Sequence, residues 1–179
     1  MTKVHISFLL MALSLAGFAS LSTSAAEVTT HAASNRGTSM QARNKAIIES
    51  MFRSWMNGDS SVFQAHLSDD IEWTIPGNSA IAGTTHGRQE LMTKILAPFG
   101  ARFVKSPDSF KPRAIDGIYA DGDTVVAQFV GSGTTNNGRP YRNNYLWVLA
   151  MQDGKIVRAT AFFDSVAFNE LWQQSPAQQ

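Results

Sequence analysis

Three side chains pair a titratable group with a patterned position in this chain: Tyr145, Asp164 and His86. A phenol can hand a hydrogen bond or a proton to a developing oxyanion, and a carboxylate or imidazole can take one. Tyr145 as donor with Asp164 or His86 as base is therefore the minimal acid–base set on offer. Each has a competing role. Asp164 stands where a helix is expected to start, and a carboxylate there accepts backbone N–H bonds worth about 1 kcal/mol. His86 precedes Gly87 in a Gly- and Thr-rich loop, and His66 closes a helix, where the dipole favours a cation. Two isolated histidines are a poor basis for a metal centre, and none is expected. The chain has no cysteine, which excludes disulfides, thiolate catalysis and cysteine-ligated metal. Gly131-Ser132-Gly133 flanks a hairpin with no helix after it, so it is not a phosphate loop, and no serine-nucleophile elbow is present.

A second group of residues suits binding rather than proton transfer. Asn143, Tyr145 and Trp147 alternate along one segment and so share a strand face, as do Val157, Ala159, Ala161 and Phe163 on the next. Trp73 lies between Ile71 and Ile75 on an earlier strand, and Trp55 on a helix. Polar groups on a buried face need partners, and a ligand carbonyl or hydroxyl can supply one. The expected lining of a ligand pocket is Trp55, Trp73, Gln128, Asn143, Tyr145, Trp147 and Phe163. The bland alternative for the aromatics is plain core.

The elements that would position these residues follow from hydrophobic period. Ile47, Ile48, Met51, Phe52, Trp55 and Met56 mark one face of a helix that Asn57-Gly58 ends. Asp59 or Ser60 can cap a short second helix reaching His66 or Leu67. Ile71, Trp73 and Ile75 alternate with polar residues as a half-buried strand closed by Pro76-Gly77. A third helix is expected over Arg88–Phe99. Beyond Phe103 about four strands follow, punctuated by Asp121-Gly122, Asn137-Gly138 and Asp153-Gly154, dipeptides that supply the positive φ of hairpin turns. Ser165–Gln173 forms a last helix. Helices first and strands last mean α+β, with helices on one sheet face.

That order carries three stretches of text: Trp55-Met56-Asn57-Gly58-Asp59 with Leu67-Ser68-Asp69-Asp70-Ile71-Glu72-Trp73; Trp73-Thr74-Ile75-Pro76-Gly77 running to Gly83 and Gly87; and Asn143-Asn144-Tyr145-Leu146-Trp147 with Asp153-Gly154-Lys155-Ile156-Val157 and Phe163-Asp164. Together they resemble the SnoaL-like, ketosteroid-isomerase-like proteins of the nuclear-transport-factor-2-like superfamily over roughly Ala42–Trp172. The resemblance implies a cone-shaped, strongly curved antiparallel sheet wrapped on three N-terminal helices, with a short C-terminal helix and an apolar cavity. It also implies a homodimer through the outer sheet face. The superfamily holds isomerases, cyclases, epoxide hydrolases, dehydratases and binding proteins, so fold does not name a reaction. Position by position, the enzymatic sets are missing. The isomerase base and its tyrosine fall on Ile75 and Met51. The acid of cyclases and epoxide hydrolases falls on Ala161. The hydrolase Arg and second Asp fall on Gln128 and Val130, and the inward polar pair of cyclases falls on Tyr145 and Trp147.

Composition bounds what remains. With 179 residues, 44% hydrophobic and 16% charged, the chain fits one globular core rather than a disordered tail. A formal charge of +1 leaves no basic excess to neutralise phosphates, so no nucleic-acid partner is expected. Residues 1–26 combine Lys3, an apolar stretch from Ile6 to Ala19 and Ser24-Ala25-Ala26, the pattern of a cleaved secretory signal peptide. Its apolar run is shorter than the roughly 20 residues a spanning helix needs, so no stable membrane anchor is expected after cleavage. Residues 27–40 are small and polar and are expected to form a disordered leader. A SnoaL-like domain over 41–174 and a tail over 175–179 complete the division. The function expected is that of an exported protein, periplasmic or secreted, whose apolar pocket binds a small hydrophobic molecule without a cofactor. An isomerase, dehydratase or hydrolase with a non-standard site and a non-catalytic dimerisation or interaction module are the alternatives.

Overall fold

The structure is a computed structural model that describes residues 24–177, with side chains from residue 37 onward. Most of the expected signal peptide lies outside the described residues. Helix α1 (Ser24–Met56) is continuous through the stretch expected as a disordered leader. In the domain it buries Ile48, Met51 and Phe52 completely, the stripe that the spacing predicts. Gly58 follows at φ 99°, its N–H closing on the Trp55 carbonyl at 2.9 Å. Asp59 then holds the start of α2 (Ser61–His66): its Oδ1 accepts from the Ser61 N–H at 2.9 Å and from the Ser61 hydroxyl at 2.5 Å.

Four strands follow the third helical segment, as expected: β3 (Lys111–Asp121), β4 (Thr124–Thr134), β5 (Pro140–Gln152) and β6 (Lys155–Phe163). They form an antiparallel meander. With β1 (Leu67–Ile75) and β2 (Gly83–His86) they make a curved, unclosed six-stranded sheet of order β2-β1-β6-β5-β4-β3. One pair departs from the antiparallel expectation: β1 runs parallel to β6, with Trp73 opposite Ala159, so the sheet is mixed. A long connection that holds β2, the short helical segments and the β3–β5 meander separates the two strands in sequence, and it permits parallel pairing as a hairpin does not. Strand β2 lies in what the sequence presents as a loop. Its text, Gly-Thr-Thr-His, has no apolar alternation, and it exists because it pairs along β1, with Thr85 opposite Trp73.

Two local irregularities shape the inner face. Ala150 pairs with Arg158 while Met151 pairs with Ile156, so Val157 is an extra residue on β6. The bulge hands the inner position to Ile156, which is fully buried, and corrects the expectation that Val157 shares a face with Ala159 and Ala161. The helix expected over Arg88–Phe99 is divided into α3 (Arg88–Leu91), a π-helical turn (Met92–Leu96) and α4 (Ala97–Gly100). Pro98 has no N–H to give the carbonyl four residues back, which breaks the regular ladder there. Strand β5 keeps strict alternation, with Tyr141, Asn143, Tyr145, Trp147, Leu149 and Met151 all buried. Helix α5 (Ser165–Gln174) closes the domain. The Asn169 Oδ1 accepts from the Ala80 N–H at 2.7 Å and its amide donates to the Asn78 carbonyl at 3.2 Å, fixing the loop before β2.

Candidate functional site

Between the inner sheet face and the helices lies a cavity of about 400 Å³, within the range that small-molecule sites occupy. The sheet contributes Trp73 from β1, Phe129 from β4, Tyr145 and Trp147 from β5, and Ala161 and Phe163 from β6. Helix α1 contributes Trp55 and α2 Phe63, while the π-helical turn adds Met92, Ile95 and Leu96. The rings form a connected wall. Trp55 stacks on Trp147 with centroids 5.9 Å apart, Trp73 meets Trp147 edge-on at 5.1 Å, and Phe129 stacks on Tyr145 at 4.9 Å. Phe110 enters the same wall because β4 carries glycines opposite it. A Cβ at Gly131 would stand 2.4 Å from the Phe110 ring, and one at Gly133 would stand 2.6 Å from the Phe110 backbone nitrogen.

Polar groups on the lining residues are few: Ser60, Gln64, Ser109, the Tyr145 phenol and the indole N–H groups of Trp55, Trp73 and Trp147. Among the described residues no carboxylate, imidazole, ammonium or guanidinium lines the cavity. Beside it, Asn143 organises a buried network. Its Oδ1 accepts from the Asn144 N–H at 2.8 Å and the Asp164 N–H at 3.1 Å. Its Nδ2 donates to the Asp164 carbonyl and to the Tyr141 hydroxyl, both at 2.9 Å. The Tyr141 and Tyr145 hydroxyls are 2.9 Å apart. Burial raises the pKa of both phenols, far above the ordinary value for Tyr145.

Of the residues singled out in the sequence, the structure brings Trp55, Trp73, Tyr145, Trp147 and Phe163 together around the cavity. It places four elsewhere. Gln128 is exposed, because it alternates with the buried Ala127 and Phe129 and so lies on the outer sheet face. Asn143 is 3% exposed but spends its hydrogen-bonding groups on backbone and Tyr141, not on the cavity. Asp164 is exposed and accepts from the Val166 N–H at 2.8 Å, capping α5. His86 is 72% exposed in its side chain and faces Glu72 at 3.8 Å. Neither candidate base therefore reaches Tyr145. Sequence reasoning missed Phe63 on α2, the π-helical turn, and Phe110 in the bend before β3. The signal was present in the apolar stripe of Leu91–Leu96 but reads as core.

Structural relatives share this architecture. Bal32a, from a soil-derived mobile gene cassette, superposes with a TM-score of 0.62 at 18% identity, covering 74% of this chain and 98% of that one. A candidate SnoaL-like polyketide cyclase from Jannaschia sp. CCS1 gives 0.59 at 15% identity, covering 76% and 96%. A candidate isomerase from Bacillus subtilis gives 0.59 at 20% identity, covering 76% and 97%. Among curated proteins none matches the sequence. The family model for the SnoaL-like domain matches residues 48–159, from the buried stripe of α1 to the inner face of β6. On that match, carried by the same elements that wall the cavity, the chain belongs to the SnoaL-like domain family.

Proposed function

We propose that this protein is an exported carrier or sensor that holds a small, largely apolar molecule in its cavity without acid–base chemistry. The fold supports small-molecule binding or isomerase- and cyclase-type chemistry in general. The observation that favours binding is the cavity wall: aromatic and aliphatic side chains with no titratable group except a deeply buried phenol. Such a wall stabilises apolar surface at about 25 cal/mol per Å² removed from water, yet has nothing to carry a proton away from a reacting carbon. Export is supported by the composition of residues 1–26. Pairing of two copies is supported by the exposed apolar side chains Tyr119, Leu146 and Phe162 on the outer sheet face.

The test is native mass spectrometry of the protein purified from the exported fraction, backed by tryptophan emission. Trp55, Trp73 and Trp147 all face the cavity, so an apolar ligand is expected to shift their emission as it displaces solvent. A co-purifying small-molecule mass that is lost on organic extraction, together with that shift, is the expected result. Protein confined to the cytoplasm would remove the export reading. Turnover of a bound molecule, detected as a changed extracted mass, would remove the non-catalytic one.

A further inference from the structure

Strand β4 carries two glycines on its inner face, Gly131 and Gly133, continuing the alternation that buries Val125, Ala127 and Phe129. Glycine in a strand interior weakens the strand and leaves a gap in its packed face. Neither has a positive φ, so the backbone conformation does not call for glycine at either place. Space does. A Cβ at Gly133 would stand 2.6 Å from the Phe110 nitrogen and 2.7 Å from its Cα, so a side chain there would lift the whole bend before β3. With glycine the bend lies against β4. The Thr134 N–H donates to the Asp108 carbonyl at 2.8 Å, and the Val104 N–H to the Thr134 carbonyl at 3.0 Å. A Cβ at Gly131 would meet the far end of the Phe110 ring at 2.4 Å, so the ring fills the place of the missing side chain.

That ring stands between two apolar clusters. Its centroid is 6.0 Å from Trp55 and 5.8 Å from Tyr145, which line the cavity. It is 5.4 Å from Phe103 and 6.0 Å from Tyr141, which do not. Among the described residues Phe110 is the side chain that packs against both clusters. Resting on the apolar cavity proposed above, we infer that Phe110 is a length stop, which ends the cavity on this side and sets the longest apolar chain it takes. Phe103 and Tyr141 brace the ring from behind and β4 from beneath, so a ligand pressing on it meets packed atoms rather than a void. A chain short enough to end at the ring buries every methylene. A longer one leaves its surplus in water or displaces packed rings. The cavity therefore selects apolar molecules by length and rejects extended acyl or alkyl chains.

The test uses n-alkylbenzenes from ethyl to octyl, with binding to the purified protein measured by headspace partition. Each methylene that enters the cavity is expected to raise affinity about fourfold, and the rise should stop at a chain length within the series. In Phe110→Ala the break should move out by about two to four methylenes, the space of the ring removed. Phe110→Leu should move it part of the way, and it serves where the alanine variant does not fold. A rise without a break in the wild type overturns the length stop and leaves the cavity standing. So does a break that Phe110→Leu and any folded Phe110→Ala leave in place. Failure of every alkylbenzene to bind overturns the apolar cavity itself, and the stop falls with it. A second measurement needs no ligand. Gly131→Ala should lower the urea midpoint of the wild type but leave that of Phe110→Leu nearly unchanged, because the ring edge it meets is gone. An equal loss in both backgrounds would mean that Gly131 makes room for something else, and would overturn the placement on which the stop rests.

Discussion

At the scale of single residues, the buried phenols and the capping carboxylate show how environment decides role. Tyr141 and Tyr145 are held neutral chiefly by burial, with both pKa values raised. Unfolding returns them to the ordinary phenol value near 10, so at high pH the unfolded chain loses these protons more readily than the folded one. Their contribution to stability is therefore complete below about pH 10 and is lost as pH climbs above it toward the raised folded values. Urea midpoints measured from pH 8 to 11 should stay level at first and then fall. Tyr141→Phe/Tyr145→Phe should flatten the fall, and an equally steep loss in that variant would contradict the assignment. Asp164 is a test of opposite kind. Its carboxylate caps α5 rather than serving the cavity, so Asp164→Ala should cost about 1 kcal/mol in a denaturant melt while Asp164→Asn costs little. Ligand affinity should be unchanged in both. A loss of affinity with Asp164→Asn would restore the carboxylate to the site.

At the scale of elements, what was legible in the sequence had a period, and what was not depended on partners far along the chain. Strand β5 declares itself, because Tyr141, Asn143, Tyr145, Trp147, Leu149 and Met151 alternate without a break. The turns are equally plain: Asp153 at φ 50° and Gly154 at φ 79° adopt the conformation their types favour. Strand β2 has no such signal, since its four residues become a strand only by pairing with β1. The bulge at Val157 shifts a face by one residue, and no local pattern in Lys-Ile-Val-Arg-Ala marks where the extra residue falls. The same limit applied to the site. The aromatics that line the cavity were recognisable as a group because strand faces group them. Asn143 was recognised as needing a partner, but the partner proved to be the backbone at the start of α5, twenty-one positions along the chain. Gln128, expected as a further polar contact in the pocket, lies on the outer face instead. Its flanking Ala127 and Phe129 are buried, and strand alternation turns Gln128 between them outward.

At the scale of the whole molecule, the outer sheet face is the surface that most needs explaining. Two cross-strand rows run along it. One is Gly117, Gln128, Leu146 and Phe162; the other is Tyr119, Val126, Val148, Thr160, Thr74 and Thr84. Neither row contains a charge. The Tyr119 ring lies over Gly117, where a Cβ would stand 2.5 Å from it, and so joins the two rows. Tyr119, Leu146 and Phe162 are 62%, 36% and 45% exposed. A two-fold axis sets such a face against itself, and these two rows would meet their own copies without like-charge repulsion, the ionisable Arg158, Glu72 and His86 lying in the next row. Leu146 and Phe162 sit directly opposite one another across β5 and β6, so a pair of glutamates there would place four like charges in the middle of the proposed interface. Sedimentation analysis at micromolar concentration should find the wild type dimeric and Leu146→Glu/Phe162→Glu monomeric. Because these side chains point away from the cavity, the ligand-induced shift in tryptophan emission should be the same in the variant as in the wild type. A wild type that stays monomeric at that concentration would refute pairing through this face. A variant that stays dimeric would place the dimer contact elsewhere on the domain.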